Sequence, residues 1–233
     1  MLFRSVSQSR YMITVVGGIK GGGGKTTLAT NLAVMRSAAG KKVLLVDADE
    51  QRTASDWASQ RAALGIDTPW TTIQLAGKAI HTELKKMMPN YDDVIVDVGG
   101  RDTTSQRSAL AIAKVCLIPF KPKSFDMWTM PQIKIMINEI KAVNPELVVL
   151  AVINQADPRG SDNDDAIDML KEFEDFICLD VSLGNRKAFA NAAGEGLSVV
   201  ELKKGDPKAV EEMKNLYFHL YEHPVLCGAG NVR

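Results

Sequence analysis

No sign of charge dominates this chain: 28 Lys and Arg stand against 28 Asp and Glu in 233 residues. That balance removes the global electrostatic argument for a nucleic-acid or membrane-surface protein, so any anion-binding surface has to be a local patch. Cysteine is scarce. Cys116, Cys178 and Cys227 are odd in number and lack metal-ligand spacing, which excludes a disulfide framework and a zinc site of ordinary pattern. The first two lie in apolar strand-like runs and read as reduced core thiols. No apolar run approaches a membrane span; the longest, "LVVLAVI" at 147–153, suits a buried strand. Internal repeats, low-complexity linkers and a domain break are missing too, and the length fits one domain with a substantial core. The opening "MLFRSVSQSR" is too short and too polar for a signal peptide. Residues 1–11 read as a disordered extension, or as a start placed upstream of Met12; residues 12–223 read as the single domain and 224–233 as a flexible tail.

Glycine, by contrast, is concentrated. The stretch "GGIKGGGGKTT", residues 17–27, holds six glycines and two lysines in eleven positions. Before it lies "YMITVV", a β-branched run that reads as a buried strand; after it, Leu28, Leu32, Met35 and Ala39 share one helical face and Gly40 ends it. A glycine run joining a strand to a helix is a phosphate cradle, because backbone N–H groups without neighbouring Cβ atoms converge on an anion at the helix N-terminus. Lys25 would then reach the β- and γ-phosphates, and the Thr26 hydroxyl would sit on Mg²⁺. One position departs from the usual G-x-x-x-x-G-K-[ST] pattern, since its first glycine is Ile19 here.

Strands and helices alternate along the rest. Strands are expected at 12–17, 43–47, 71–75, 93–98, 115–118, 147–153 and 177–181. Helices are expected at 25–39, 53–64, 78–88, 103–113, 124–143, 161–175, 186–193 and 207–222. This is an α/β pattern: a mostly parallel twisted sheet with helices on both faces and ligands at the carboxyl ends of its strands. Acidic residues stand at two of those ends. "VLLVDADEQ" places Asp47 and Asp49 after the second strand, and "DDVIVDVGG" ends the fourth in Asp97, a Walker B pattern whose carboxylate orients the Mg²⁺ shell. Gly99 and Gly100 would let the backbone beside the γ-phosphate move when that phosphate leaves.

"KGGGGKTT" resembles the deviant Walker A motif, K-G-G-x-G-K-[ST], of the ParA/MinD ATPases, in which the position of Ile19 need not be glycine. The resemblance runs from about Met12 to about Tyr221 and is nearest to small ParA-like partition proteins without an N-terminal helix-turn-helix domain. It implies ATP and Mg²⁺ as ligands, held by Lys20, Gly21, Gly22, Gly23, Gly24, Lys25, Thr26 and Thr27 with Asp47 nearby. It implies that Lys20 reaches across a nucleotide-sandwich homodimer to the partner's phosphates, where a second cation stabilises developing charge. Lys25 and Asp49 would share the catalytic work, and Thr26, Asp49 and Asp97 the metal. "DADEQ" is similar to the family's D-x-D-P-Q, with Glu50 in place of proline, and "VINQAD" to the segment whose asparagine, here Asn154, contacts adenine.

The implied task is slow ATP hydrolysis coupled to partition or positioning of a cargo, stimulated by a ParB-like or cargo-adaptor partner. Nonspecific DNA binding would make the protein cytoplasmic and nucleoid-associated when ATP-bound. The candidate DNA contacts are Arg186, Lys187, Lys203 and Lys204, in a region, 185–214, whose six basic residues exceed its acidic ones by a single charge. A MinD-like membrane protein would need a basic amphipathic last helix, but Val210, Met213, Leu216, Tyr217 and Leu220 read as a face docked on the sheet, so no stable membrane anchor is expected. An electron-transfer ATPase would need cluster-ligating cysteines that "DVGGRDTT" lacks. A P-loop synthetase would have no need of Lys20.

Overall fold

Runs of Val, Ile and Leu with too little polar alternation to face water must be covered on both sides, and that requirement shapes the molecule. In the computed structural model, which describes residues 11–101, 103–122, 129–159 and 161–222, those runs form seven strands. They are β1 (Met12–Val16), β2 (Val43–Ala48), β3 (Thr71–Gln74), β4 (Asp93–Val98), β5 (Val115–Phe120), β6 (Val148–Ala156) and β7 (Ile177–Gly184). Every neighbouring pair is parallel, and the order is β3-β2-β4-β1-β5-β6-β7. Among the described residues, eight α-helices cover the sheet: α1 (Lys25–Ala38), α2 (Thr53–Ala63), α3 (Ala79–Met87), α4 (Thr104–Leu110), α5 (Met130–Lys141), α6 (Asp162–Lys171), α7 (Lys187–Gly194) and α8 (Pro207–Tyr221). Ile80 of α3, Leu110 of α4, Ile137 of α5 and Leu170 of α6 join the core on one face; Leu28 of α1, Trp57 of α2, Ala192 of α7 and Met213 of α8 join the core on the other. The central strand β1 has β4 on one side and β5 on the other, so the chain changes direction across the sheet there and opens a crevice at the carboxyl rim.

Several boundaries differ from the sequence expectation: β6 and β7 each run three residues further, to Ala156 and Gly184, and α6 stops at Lys171 rather than 175. The strand expected to stop at 118 continues to Phe120, through Pro119. The carbonyl of Leu117 accepts from Gly17 N, so Leu117 and, two residues on, Pro119 turn their backbone polar groups toward the β1 side. β1 has already ended at Val16, and the missing Pro119 N–H therefore breaks no ladder. The helix expected at 103–113 is shorter, Thr104–Leu110, with the Thr103 hydroxyl accepting from Gln106 N at 3.1 Å as its N-cap. The helix expected from 124 is seen from Met130, with Pro131 in its first turn; positions 124–128 lie outside the described residues. Residues 1–10, Cys227 and the 224–233 tail also lie outside them.

The chain's last third is tied back by buried polar contacts. Arg61 of α2, 1 % exposed, makes a two-pronged ion pair with Glu201 at 2.7 and 2.9 Å and donates to the carbonyls of Gly196 and Asp67. Its guanidinium lies 5.1 and 4.9 Å from the ring centroids of Trp57 and Trp70, which stack on each other. Asn31 of α1 accepts from the Ser198 hydroxyl and from Val199 N. At α8, Ala209, Met213, Leu216 and Leu220 are buried, and Arg36 links Asp93 at 2.7 Å to the Tyr217 hydroxyl at 2.9 Å. The apolar face of α8 is docked, as its spacing predicts. No helix of the described residues is long and apolar enough to cross a membrane.

Candidate nucleotide-binding site

The glycine loop between β1 and α1 sits at the rim crevice. Its base is fixed from neighbouring elements: Gly17 N donates to Leu117 O at 2.9 Å, and Gly18 N to the buried Gln106 side chain at 3.1 Å. Gly24, the residue before α1, has φ +87°, and a Cβ there would collide with the Asn154 amide. α1 has no side-chain cap at its start, so its first N–H groups stay available to an anion.

Lys25 is 7 % exposed, and its ammonium donates to the Lys20 carbonyl at 2.9 Å. Burial lowers its pKa, partly countered by the carboxylates of Asp97 and Asp49. Asp97, at the end of β4, is fully buried, and neither of its carboxylate oxygens has a hydrogen-bond partner among the described residues. Burial pushes its pKa up to about 7; the Thr26 hydroxyl is near enough to temper that rise without an aligned hydrogen bond. A buried, unpartnered carboxylate is costly unless something arrives to pair with it. Beside a threonine hydroxyl and a phosphate cradle, this donor set fits a hard divalent cation such as Mg²⁺.

The other predicted residues divide. Gly21, Gly22, Gly24, Lys25, Thr26, Thr27 and Asp49 line one open cleft, together with Gly99, Gly100 and Gln155. Lys20 is exposed at the loop, and Gly23 lies against Pro119. Asp49 lies against Gly99 and accepts from Gln51 N at 3.1 Å. Asp47 is buried and spends its oxygens on backbone, accepting from Asp49 N at 3.2 Å and Ser55 N at 2.8 Å; it shapes the loop that carries Asp49. Asn154 donates to the Gly23 carbonyl at 2.7 Å and so grips the cradle. Sequence reasoning missed two residues that touch the loop, Gln106 and Gln155. Gln155 donates to Gly22 O at 3.2 Å from an unusual φ of +56°, and no local pattern marks either glutamine.

The candidate DNA residues lie elsewhere. Lys187, Lys203 and Lys204 are exposed. Arg186 is held by Glu212 at 2.7 Å and Asp206 at 3.3 Å, so the structure commits it to ion pairs within its own chain.

A parallel sheet whose central strand runs through a glycine cradle into a helix, with a buried lysine and an unpartnered aspartate beside it, defines a P-loop nucleotide-binding protein. Residues 13–199 match the CobQ/CobB/MinD/ParA nucleotide binding domain, and the chain belongs to that family. It is 30% identical over 219 residues to "Maintenance of carboxysome distribution protein A" of Halothiobacillus neapolitanus, covering 91% of this chain and 97% of that one. It is 28% identical over 163 residues to "Chromosome-partitioning ATPase Soj" of Thermus thermophilus, covering 58% and 65%. Among solved structures, an ATP complex of Cyanothece McdA(D38A) superposes with a TM-score of 0.74 at 15% identity, over 97% of this chain and 99% of that one. A putative plasmid partition protein of Borrelia burgdorferi bound to AMPPNP gives 0.68 at 18%, over 88% and 96%. These structures share the fold, and the sequence relatives place the chain among the ParA-like partition and positioning ATPases.

Proposed function

We propose that this chain is an ATP hydrolase that closes into an ATP-dependent sandwich dimer, binds DNA without sequence preference, and positions a cargo when a partner protein stimulates hydrolysis. The observation that carries the reading is the pair of lysines at the cradle. Lys25 is buried and anchored to the backbone of Lys20, while Lys20 itself is exposed at the loop, where a second subunit's nucleotide can approach. The loop N–H groups and Lys25 bind the phosphates; Thr26 and Asp97 hold the metal, which when bound neutralises phosphate charge. Asp49 orients the water that attacks the γ-phosphorus as the bond to ADP breaks. Asp47 keeps the Asp49 loop in place, and Asn154, which donates to the Gly23 carbonyl, would contact the adenine.

DNA contact falls to Lys187, Lys203 and Lys204, with Arg186 as a brace. Two such patches on one dimer suffice for weak, salt-sensitive phosphate binding. Relatives aligned along nearly their whole length distribute carboxysomes, which supports a protein assembly as the cargo ahead of a plasmid. The docked apolar face of α8 speaks against a membrane-bound alternative.

The test is light scattering and a gel shift on random-sequence duplex, with a non-hydrolysable ATP analogue, ADP or no nucleotide. Dimer and shift should appear together with the analogue only, and Lys20→Ala should lose both while still binding nucleotide. A mutant dimer as strong as wild type would remove the trans role of Lys20.

A further inference from the structure

The sequence motifs account for two lysines at the cradle, but the fold brings a third. Lys121 follows β5 directly, and its ammonium sits 3.5 Å from where a Cβ on Gly22 would stand. It is half-buried, yet it has no hydrogen-bond or ion-pair partner among the described residues. The cavity it lines shares Gly21 and Lys25 with the open cleft, includes Lys20, is backed by Ile118, Phe120 and Ile133, and among the described residues has no carboxylate in its lining. Lys25 faces the Asp97 and Asp49 carboxylates, but Lys121 has no such counter-charge among the described residues, and its partial burial removes some of the water that would screen it. An ammonium held in that way over a phosphate cradle suits an incoming anion.

The backbone explains why this lysine is aimed so reproducibly. Beyond Leu117, β5 no longer pairs with β1, and the Pro119 carbonyl lies 3.2 Å from the Cβ position of Gly23. On its β1 side, β5 therefore runs alongside the cradle, while β6 still pairs with its other side. Pro122 then restricts Lys121 to extended conformations, so the side chain leaves from a fixed place beside Gly22. Gln155 approaches Gly22 as well, its side-chain Nε2 donating to the Gly22 carbonyl at 3.2 Å.

We infer that Lys121 is a phosphate-binding residue, placed over Gly22 to contact the β/γ end of the nucleotide bound by its own subunit. The inference rests on the ATPase reading given above. It adds a cation that neither the Walker motifs nor the trans-acting Lys20 supplies. The point charge of a lysine suits this role, since it can follow a phosphate oxygen without a fixed fork.

The experiment measures equilibrium binding of fluorescent ATP and of AMP, at protein concentrations where light scattering reports a monomer. Lys121→Gln should weaken ATP by roughly 10- to 100-fold, as expected for loss of a charge-assisted hydrogen bond, and leave AMP within about threefold. Lys121→Arg should restore most of the ATP affinity. The salt dependence of ATP binding should become shallower in the Gln variant, and the unfolding midpoint of the nucleotide-free protein should not fall. Equal losses for ATP and AMP, or a lowered midpoint with no change in salt dependence, would mean a structural lysine and overturn the inference. Unchanged monomer affinity with weaker ATP-driven dimerisation would assign Lys121 to the partner's phosphates and overturn the placement in its own subunit. Tight wild-type binding with an unaffected Gln variant overturns this inference alone. A wild-type protein that binds no ATP brings down the ATPase reading, and this inference with it.

Discussion

Lys25 and Arg61 are the buried cations of the described residues, 7 % and 1 % exposed, and they differ in what surrounds them. Arg61 has a carboxylate gripped in two places, two backbone carbonyls and two indole rings within about 5 Å. Its polar capacity is used up. Lys25 has one carbonyl, and the carboxylate that steadies it, Asp97, has no hydrogen-bond partner of its own among the described residues. One site is finished by folding; the other is left incomplete, which is the condition for binding something. A folded chain tolerates such an incomplete site because stability is supplied elsewhere, at places like Arg61.

The comparison breaks most visibly at Arg61. Arg61→Leu leaves Glu201 without its ion-pair partner, with only the Ser198 N–H still donating to it, and removes both ring contacts, so stability should fall by about 3 kcal/mol, less than for a fully buried pair because Glu201 is 26% exposed. For a chain of this size that is roughly 6–12 °C in the unfolding midpoint. Calorimetry checks it, and ATP affinity well below that midpoint should not change. A parallel loss of affinity would show that the two sites are not separate.

Asp97→Asn should move stability the other way. A carboxyl with its pKa raised to about 7 binds its proton more tightly in the folded protein than in the unfolded chain. Wild-type stability in EDTA therefore declines as pH rises from about 4 to about 7, and is lowest above that window. Each tenfold change in proton affinity is worth about 1.36 kcal/mol, a ceiling near ~4 kcal/mol that relaxation reduces. The nucleotide-free Asn variant should be more stable than wild type by about 2 kcal/mol at pH 8 and nearly equal to it at pH 4, by urea unfolding, while losing Mg²⁺-dependent ATP binding. A variant less stable at pH 8 would mean that Asp97 is satisfied in the resting protein.

The smallest effect sharpens the boundary between the two kinds of site. Asn154→Ala removes a buried hydrogen bond to Gly23 O and should cost about 1 kcal/mol, with ATP affinity reduced only several-fold. Abolished binding in that variant would promote Asn154 from a brace of the cradle to a principal ligand contact.

The incomplete site was also the legible one. Glycine spacing, Lys25 and the apolar run ending in Asp97 are local patterns, each written within a few consecutive residues. The finished site was not legible, because Trp57, Arg61, Trp70, Gly196 and Glu201 meet only after α2 and the chain's last third have packed. Gln106, Lys121 and Gln155 share that difficulty: each reaches the cradle from a different strand or helix. Pro119 misled the reading of β5 because proline ordinarily ends a central strand, and only the early stop of β1 makes it harmless. Arg186 looked available because Glu212 lies 26 residues away in sequence.

Gly100 carries a consequence for how the protein can change over generations. A Cβ there would stand 2.6 Å from the backbone of Gly21, so the loop after β4 and the phosphate cradle touch main chain to main chain. Every single-base change of a glycine codon that alters the amino acid introduces a Cβ. No one-step neighbour of the gene therefore fits at this position unless the cradle shifts as well. Two segments some 80 residues apart in sequence are thereby joined in inheritance, able to drift only as a pair.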